Sequence, residues 1–272
     1  MIVDCHTQIW DSSARLGAHV AASAHAVHAD WPRHYEAAHP VDRTIVLGFK
    51  SRYLGAEISN QYIADYVRKH STKVVGFAGI DPTDAEWLTD LKIAHGDLGL
   101  KGVTISPSMQ NFHPADTRAL DLYDECARRG MPILVEHNHR YPPAKLEFAR
   151  PTLFDEVARE FPQLRIVIAH MGFPWIDETL VMLAKHPHIY ADVAGLLRHP
   201  WLSYNALLKA YEYGVMSKLL FGSDFPHRSP AACIEALYHI NQVAAGTGLP
   251  IVPREQLRGI VERDALGLLG LE

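Results

Sequence analysis

The sequence has little cysteine and no long hydrophobic run, and these two shortages exclude several classes of protein. Its three cysteines, Cys5, Cys126 and Cys233, are far apart and odd in number, and no Cys-x-x-Cys pair occurs. We therefore expect three thiols in or near the core rather than a disulfide framework or a cysteine-rich zinc site. The hydrophobic runs are far shorter than the roughly 18 residues that span a bilayer, so we expect no membrane partner.

Basic residues are also in the minority. The chain has 26 lysines and arginines against 31 aspartates and glutamates, a formal net charge of −5. Such a chain lacks the broad positive surface that binds nucleic acid or anionic membranes. Asp4 and His6 stand where a signal peptide would have a basic start and an apolar stretch. These features predict a cytoplasmic protein with no nucleic-acid partner.

Apolar, β-branched runs alternate with segments of helical periodicity along all 272 residues. The predicted strands are 2–5, 44–48, 74–80, 102–106, 133–136, 165–169, 189–193 and 219–222. The predicted helices are 60–69, 84–95, 117–129, 151–161, 175–185, 201–213 and 231–245. Strands that alternate with helices indicate a parallel sheet, and eight such units predict a single α/β domain, a (β/α)8 TIM barrel over residues 1–272. Six of the eight units would also suit an open doubly wound sheet.

Two segments do not follow this alternation. Residues 11–42 form the main irregular stretch, which is too long for an ordinary connection and carries His19, His25, His28, His34 and His39. Because it follows the first strand directly, we interpret it as a long lid loop over the barrel mouth, with a surface loop as the alternative. Residues 257–271 predict one or two helices that close the outer ring of the barrel.

Polar side chains follow several of the predicted strands at their carboxyl ends, where barrel enzymes place their chemistry. Residues two apart in a strand point to the same side, so His6 and Gln8 should project together from strand one. Strand five is followed by His137 and His139, and strand six by His170. Strand seven contributes Asp192 and strand eight Asp224. Because histidine and aspartate recur at one face, we predict a functional site there.

Four pieces of sequence carry a family resemblance: Asp4-Cys5-His6, Glu136-His137, Ala169-His170-Met171-Gly172 and Gly222-Ser223-Asp224-Phe225-Pro226. Together they resemble the amidohydrolase superfamily, and within it the amidohydrolase-2 branch. That branch includes aminocarboxymuconate-semialdehyde decarboxylase, γ-resorcylate decarboxylase and pyrone-dicarboxylate lactonase. The resemblance implies that His6 and His137 are metal ligands. It also implies that His170 polarises the substrate or shuttles a proton, and that Asp224 is both a ligand and the acid/base group.

Gln8 departs from the family pattern, which has His-x-His on strand one. An amide oxygen is a weaker zinc ligand than imidazole and suits harder ions better. His6, His137 and Asp224 still form a set of two histidines and one carboxylate, which can hold a catalytic metal. We therefore expect one divalent metal, zinc first and manganese or iron as alternatives, held by His6, Gln8, His137 and Asp224. A metal-free protein is the other possibility.

Cationic side chains lie in the loops after strands two, five, seven and eight of an otherwise acidic chain. Arginine binds carboxylates bidentately, so these cations predict a small anionic organic substrate. Ordinary solvated surface charge is the alternative for each of them. The predicted substrate-binding residues are Lys50, Arg52, His139, Arg140, Arg198, His227 and Arg228.

The sequence leaves three functions open. The first is a metal-dependent hydrolase of a small carboxylated lactone, ester or amide, with Asp224 and His170 as acid/base groups. The second is a lyase, a non-oxidative decarboxylase of an aromatic or muconate-like acid that uses the same side chains. The third is a barrel that binds a small molecule without metal or turnover. A homodimer is expected from the frequency of dimers among soluble proteins.

Overall fold

Eight parallel strands form the barrel in the computed structural model, which describes residues 1–12, 16–17, 29–137 and 142–271. The strands pair in chain order, each with the next along the sequence. The eight barrel strands, called first to eighth below, are Val3–Gln8, Arg43–Leu47, Val74–Gly79, Gly102–Ile105, Ile133–Val135, Ile166–Ile168, Ile189–Asp192 and Leu219–Leu220. The predicted TIM barrel is therefore confirmed.

Hydrogen bonds from the loop after the eighth strand join it to the first. Cys5 N donates to Phe221 O over 2.9 Å, and Asp224 N donates to His6 O over 3.0 Å. A parallel bridge between Thr7 and Phe225 continues this seam. The first and last strand segments, more than 200 residues apart in sequence, thereby meet at one side of the barrel mouth.

Helices lie between the strands, as the alternation predicts. The described α-helices are Trp31–Ala37, Asn60–Lys69, Trp87–Lys92, Pro107–Gln110, Thr117–Arg129, Phe154–Glu160, Ile176–Lys185, Pro200–Glu212, Pro230–Tyr238, Arg254–Val261 and Ala265–Leu269. Two of the predicted helices, Asn60–Lys69 and Thr117–Arg129, have the predicted bounds. The second is fixed at both ends: Asp116 accepts a bond from Arg118 N, and Gly130 takes the left-handed conformation with φ 67°.

The region after the first strand differs from the expectation. Residues 31–37 form a helix, and its His34 is buried, so this part of the predicted lid is not irregular. Residues 13–15 and 18–28, with His19, His25 and His28, lie outside the described residues, and a lid is not confirmed. A short antiparallel hairpin of Phe49–Ser51 and Ala56–Ile58 follows the second barrel strand and was not predicted.

The barrel interior is a hydrophobic core of its own, distinct from the core between the strands and the outer helices. Inward side chains such as Val3, Leu134 and Leu220 fill it, and Leu266 and Leu269 of the last helix close it from below. The three cysteines are buried and free, as predicted. No described helix combines the length and the apolar character that a membrane crossing requires.

Candidate active site

The first strand brings His6 and Gln8 to the same carboxylate. His6 Nε2 lies 2.9 Å from Oε1 of Glu136, and Gln8 Nε2 donates a hydrogen bond to that oxygen over 3.0 Å. Val3 and Cys5 of the same strand point into the barrel core. If side chains alternated strictly along this strand, His6 and Gln8 would point away from the barrel interior when Val3 and Cys5 point into it. A register shift between Asp4 and Thr7, in the pairing with the second strand, turns His6 and Gln8 toward the mouth.

Asp192, at the end of the seventh strand, accepts hydrogen bonds from both site histidines. Its Oδ2 accepts a bond from His6 Nδ1 over 2.9 Å, and its Oδ1 accepts bonds from the backbone nitrogens of His170 and Ala194 over 2.9 and 3.0 Å. Asp192 is fully buried. Burial alone would lower the pKa of His6, but the charges of Asp192 and Glu136 outweigh it and hold that pKa well above its ordinary value.

His170 sits in a tight turn directly after the sixth strand. Its backbone is left-handed, with φ 55° and ψ 31°, a conformation that is uncommon for a residue with a side chain. The hydrogen bond from His170 N to Asp192 fixes this backbone. The ring of His170 lies 4.7 Å from that of His6, and its Nε2 is 3.5 Å from Oε2 of Glu136. Its Nδ1 is 2.9 Å from Ala194 O, a carbonyl oxygen that can only accept a hydrogen bond.

These contacts select the tautomer that each histidine adopts when its ring is neutral, as it must be to bind a metal ion. Nδ1 of His6 faces a carboxylate and Nδ1 of His170 faces a carbonyl, so both Nδ1 atoms donate. In the neutral imidazoles, both Nε2 atoms then hold free lone pairs directed toward Glu136. The approach of His6 Nε2 to Glu136 lacks hydrogen-bond geometry. This buried nitrogen has no hydrogen-bond partner among the described residues.

The arrangement fits a divalent cation. The ligand atoms of His6, Glu136 and His170 all lie within 4.8 Å of one another. Two imidazole nitrogens and one carboxylate form a common three-ligand set for catalytic zinc, with a position left open. The bonds from each Nδ1 to an oxygen behind it are those that usually orient metal-binding histidines. Gln8 Nε2, as a donor to Glu136, would steady the carboxylate from the side.

Asp224 borders this cluster without belonging to it. Its backbone is left-handed, with φ 63°, and is anchored by the bond from Asp224 N to His6 O. A Cβ atom placed on Gly195 would lie 3.0 Å from His170 Nδ1 and 3.3 Å from Asp224 Oδ2, so both side chains adjoin one point. Only glycine leaves that point open. Asp224 Oδ2 pairs with Arg198 Nη2 over 2.9 Å.

His137, predicted as the ligand of the fifth strand, has a different environment from Glu136. Its ring is buried, its Nδ1 is 3.0 Å from Val135 O, and burial lowers its pKa to about 4. Leu134 points into the inner core, whereas Val135 packs in the outer one. By alternation Glu136 faces inward with Leu134. Sequence reasoning missed Glu136 because it favoured histidine at this strand end, although the inward pattern was readable.

The predicted substrate-binding cations divide into two groups. Lys50 lies 2.8 Å from Asp84 and 2.5 Å from Asp90, and Arg52 lies 3.7 Å from Asp84, so local carboxylates neutralise them. Arg198, in contrast, pairs with Asp224, and Arg228 reaches the turn that carries Arg198. Arg228 Nη1 donates to Leu197 O, beside Arg198.

The remaining predicted substrate-binding residues are three. His227 interacts electrostatically with Asp224 and Arg198. His139 and Arg140 lie outside the described residues, and their assignment stays a prediction.

Comparison with known families fits this geometry. The family model described as amidohydrolase matches residues 3–271. The chain belongs to the amidohydrolase family. No curated protein matches it.

Solved structures share the fold of this amidohydrolase at low sequence identity. A probable 2-pyrone-4,6-dicarboxylic acid hydrolase from Acinetobacter baumannii, with citric acid bound, is 16% identical over 99% of both chains, with a TM-score of 0.73. A dihydroxybenzoic acid decarboxylase from a Polaromonas species, with bound manganese and an inhibitor, is 14% identical over 99% of this chain and 97% of its own, with a TM-score of 0.68. An amidohydrolase from Burkholderia multivorans with bound zinc is 14% identical over the full length of both chains, with a TM-score of 0.71.

Proposed function

We propose that this amidohydrolase is a metal-dependent hydrolase of a small carboxylated lactone, ester or amide. The observation that carries the proposal is that the Nε2 atoms of His6 and His170 both face the Glu136 carboxylate, while each Nδ1 atom is bonded to an oxygen behind it. A resident divalent metal would supply Lewis-acid polarisation of the substrate carbonyl and of water at this position. Zinc and manganese, each bound by one structural neighbour, are the first ions to test.

The chain's own residues supply the proton and charge chemistry. Asp224 adjoins His170 and, in this proposal, accepts the proton of the attacking water. Asp192 keeps Nδ1 of His6 protonated, so that Nε2 stays available as a ligand. Arg198 and Arg228 provide donors for a substrate carboxylate at the mouth. The Acinetobacter neighbour, a probable hydrolase of a dicarboxylated pyrone, supports this substrate class.

Decarboxylation is the second candidate. The Polaromonas neighbour is a decarboxylase, and Asp224 beside the metal-binding cluster is equally well placed to protonate the carbon that loses carbon dioxide. A barrel that binds a small acid without metal is the third candidate, because Gln8 replaces the second histidine of the family pattern.

One set of measurements decides among the three. Protein purified without chelator is analysed for metal, and then assayed with carboxylated lactones, esters, amides and hydroxybenzoates while acid release and carbon dioxide are both followed. Acid release without carbon dioxide supports the hydrolase, and carbon dioxide release establishes the decarboxylase. Absence of metal, of metal uptake and of turnover, together with retained affinity for a small carboxylate, would leave only the binding protein.

A further inference from the structure

The pairing between Arg198 and Asp224 ties together the two groups that the proposed function uses separately. Asp224 is the assigned base, and Arg198 is the assigned anchor of the substrate carboxylate. In the structure, Nη2 of Arg198 lies 2.9 Å from Oδ2 of Asp224. The oxygen that faces the guanidinium is engaged by a charge-assisted donor, so an incoming water cannot approach that oxygen until Arg198 moves away.

We propose that Arg198 exchanges partners when substrate binds. The substrate carboxylate replaces Asp224 as the partner of the Arg198 guanidinium. Asp224 is then free to accept the proton of the attacking water. The inference rests on the proposed function, because it assumes that Asp224 is the base. It names Arg198 as the residue that makes turnover depend on a carboxylate in the substrate.

The backbone around the pair is fixed, so the exchange requires movement of one side chain only. Asp224 is held by the bond from its own nitrogen to His6 O and by the bond from His227 N to its carbonyl, over 3.0 and 2.8 Å. The turn Leu196–Arg198 is held by Ser203 Oγ, which donates to Leu196 O over 2.6 Å, and by Arg228, which donates to Leu197 O.

Exposure shows which partner of the pair is free to move. The side chain of Arg198 is 33% exposed, against 12% for Asp224. The second bond of its guanidinium group, from Nε to Gly195 O, is long at 3.3 Å. A partly exposed ion pair of this kind contributes little stability, so it is readily exchanged for an equivalent one.

Local charge favours the entry of one carboxylate. Arg198 is paired with Asp224, and Arg228 bonds to Leu197 O in the same turn as Arg198, so two cations meet at the turn Leu196–Arg198. Within the described part of the chain, Arg228 is in no ion pair. An entering carboxylate at this turn would therefore meet a cation that no described carboxylate neutralises. It can bind Arg198 in the bidentate geometry, which the single 2.9 Å contact to Asp224 does not use.

Two experiments test the exchange. In the first, wild-type protein is crystallised with and without citrate. We expect a citrate carboxylate on Arg198 and a separation between Arg198 and Asp224 beyond 4 Å in the complex. A pair that persists at its original distance, with citrate bound elsewhere or absent, would overturn the proposal. This experiment needs no turnover, so its result is independent of whether the hydrolase assignment is right.

The second experiment compares the best substrate with its carboxamide counterpart, in which the anchoring carboxylate is neutral. In the wild type we expect kcat to be at least about thirtyfold higher for the carboxylate. In Arg198→Met, whose Asp224 is always free, we expect the two kcat values to agree within about threefold, with KM for the carboxylate raised at least tenfold. Lys209→Met, which removes an exposed ion pair with Asp177, should behave as wild type.

An unchanged kcat ratio in Arg198→Met would contradict the exchange and leave Arg198 a structural partner of Asp224. If Arg198→Met does not fold, Arg198→Lys replaces it. A lysine keeps the charge but loses the bidentate geometry, so the ratio should fall only partly. If the wild type hydrolyses no substrate while citrate still separates the pair, the proposed function fails and the exchange of partners stands.

Discussion

Gln8 Nε2 donates a hydrogen bond to Oε1 of Glu136 over 3.0 Å, on the same oxygen that lies 2.9 Å from His6 Nε2. A carboxylate cannot donate in return, so the amide nitrogen, and not the amide oxygen, faces Glu136. The residue that replaces the second histidine of the family pattern therefore contacts the candidate metal site of His6, Glu136 and His170 through Glu136. It holds Glu136 in the position where its charge meets both histidines.

This contact predicts the effect of Gln8→Met, which keeps the length of the side chain and removes its donor. We expect metal affinity to fall by about 10- to 100-fold, the usual loss when an outer partner of a ligand is removed. Cobalt titration followed by visible absorption measures the affinity without an assay of activity. Gln8→His is the matched variant, because it restores the family pattern and should bind cobalt at least as tightly as wild type. Equal affinities for Gln8→Met and wild type would show that the hydrogen bond from Gln8 to Glu136 does not support metal binding.

Glu136 and His137 are adjacent, and the sequence and the structure favour different members of the pair as the ligand of the fifth strand. From the geometry we expect Glu136→Gln to reduce bound metal from about one ion per chain to less than a tenth, because a neutral amide replaces the only carboxylate among the three ligands. His137→Gln should retain metal. Elemental analysis of the two variants after identical purification decides between them, and the opposite result would restore His137 as the ligand.

Much of the fold was predictable because hydrophobic periodicity reports it directly. All eight barrel strands lie within two or three residues of their predicted bounds, and the helix Asn60–Lys69 matches fully. The helix Trp31–Ala37 was missed because its sequence carries Trp31-Pro32 and alternating polar residues rather than an apolar stripe. His34 faces the core there through hydrogen bonds, which periodicity does not register.

The sequence indicated where the candidate site should lie, but it did not identify all of the residues there. Convergence of His6, His170 and Asp224 follows from their places at strand ends. The roles of Glu136 and Asp192 depend on which face of a strand each side chain occupies. One register shift, between Asp4 and Thr7, decides that His6 and Gln8 face the mouth, and no local sequence signal marks it. The pairing of Arg198 with Asp224 joins two separate loops, and no sequence pattern indicates it.

Asp192→Asn tests whether a proton position governs metal binding. Oδ1 of Asp192 accepts two backbone N–H groups and Oδ2 faces His6 Nδ1. An asparagine would keep its oxygen on the backbone groups and turn its NH2 toward His6, whose Nδ1 must then accept and whose Nε2 must carry the proton. We expect loss of metal binding, together with a decrease of about 3 kcal/mol in the free energy of unfolding of the metal-free protein. Urea denaturation and metal analysis measure the two effects. Retained metal at wild-type stoichiometry would show that His6 does not bind through Nε2.

Asp224→Asn tests Asp224 as the proposed base, separately from the candidate metal site of His6, Glu136 and His170. The substitution keeps the shape of the side chain but removes its capacity to accept a proton. We expect kcat to fall by about a thousandfold, in the range that general bases contribute, while metal content and the melting temperature stay close to wild type. Asp177→Asn, a change at an exposed ion pair, controls for the loss of a surface charge. Loss of metal from Asp224→Asn would instead make Asp224 a ligand, and a wild-type rate would end its assignment as the base.

His34 predicts how the stability of the barrel responds to acid. Its Nδ1 accepts a bond from Tyr66 Oη over 2.8 Å and its Nε2 donates to Thr7 Oγ1 over 2.9 Å, so the neutral ring is fully bonded. Burial lowers the pKa of His34 from 6.5 to about 3. Below pH 6.5 the unfolded chain therefore binds a proton that the folded protein does not bind, so the free energy of unfolding falls as the pH falls. From pH 7 to pH 4, this single group should lower the free energy of unfolding by about 3 kcal/mol.

The variant His34→Gln tests this expectation by urea denaturation at both pH values. Its acid-induced loss of stability should be smaller than that of the wild type by about 3 kcal/mol. The control His39→Gln, at an exposed position, should keep the wild-type loss. Equal losses in wild type and His34→Gln would mean that the buried ring is protonated in the folded protein.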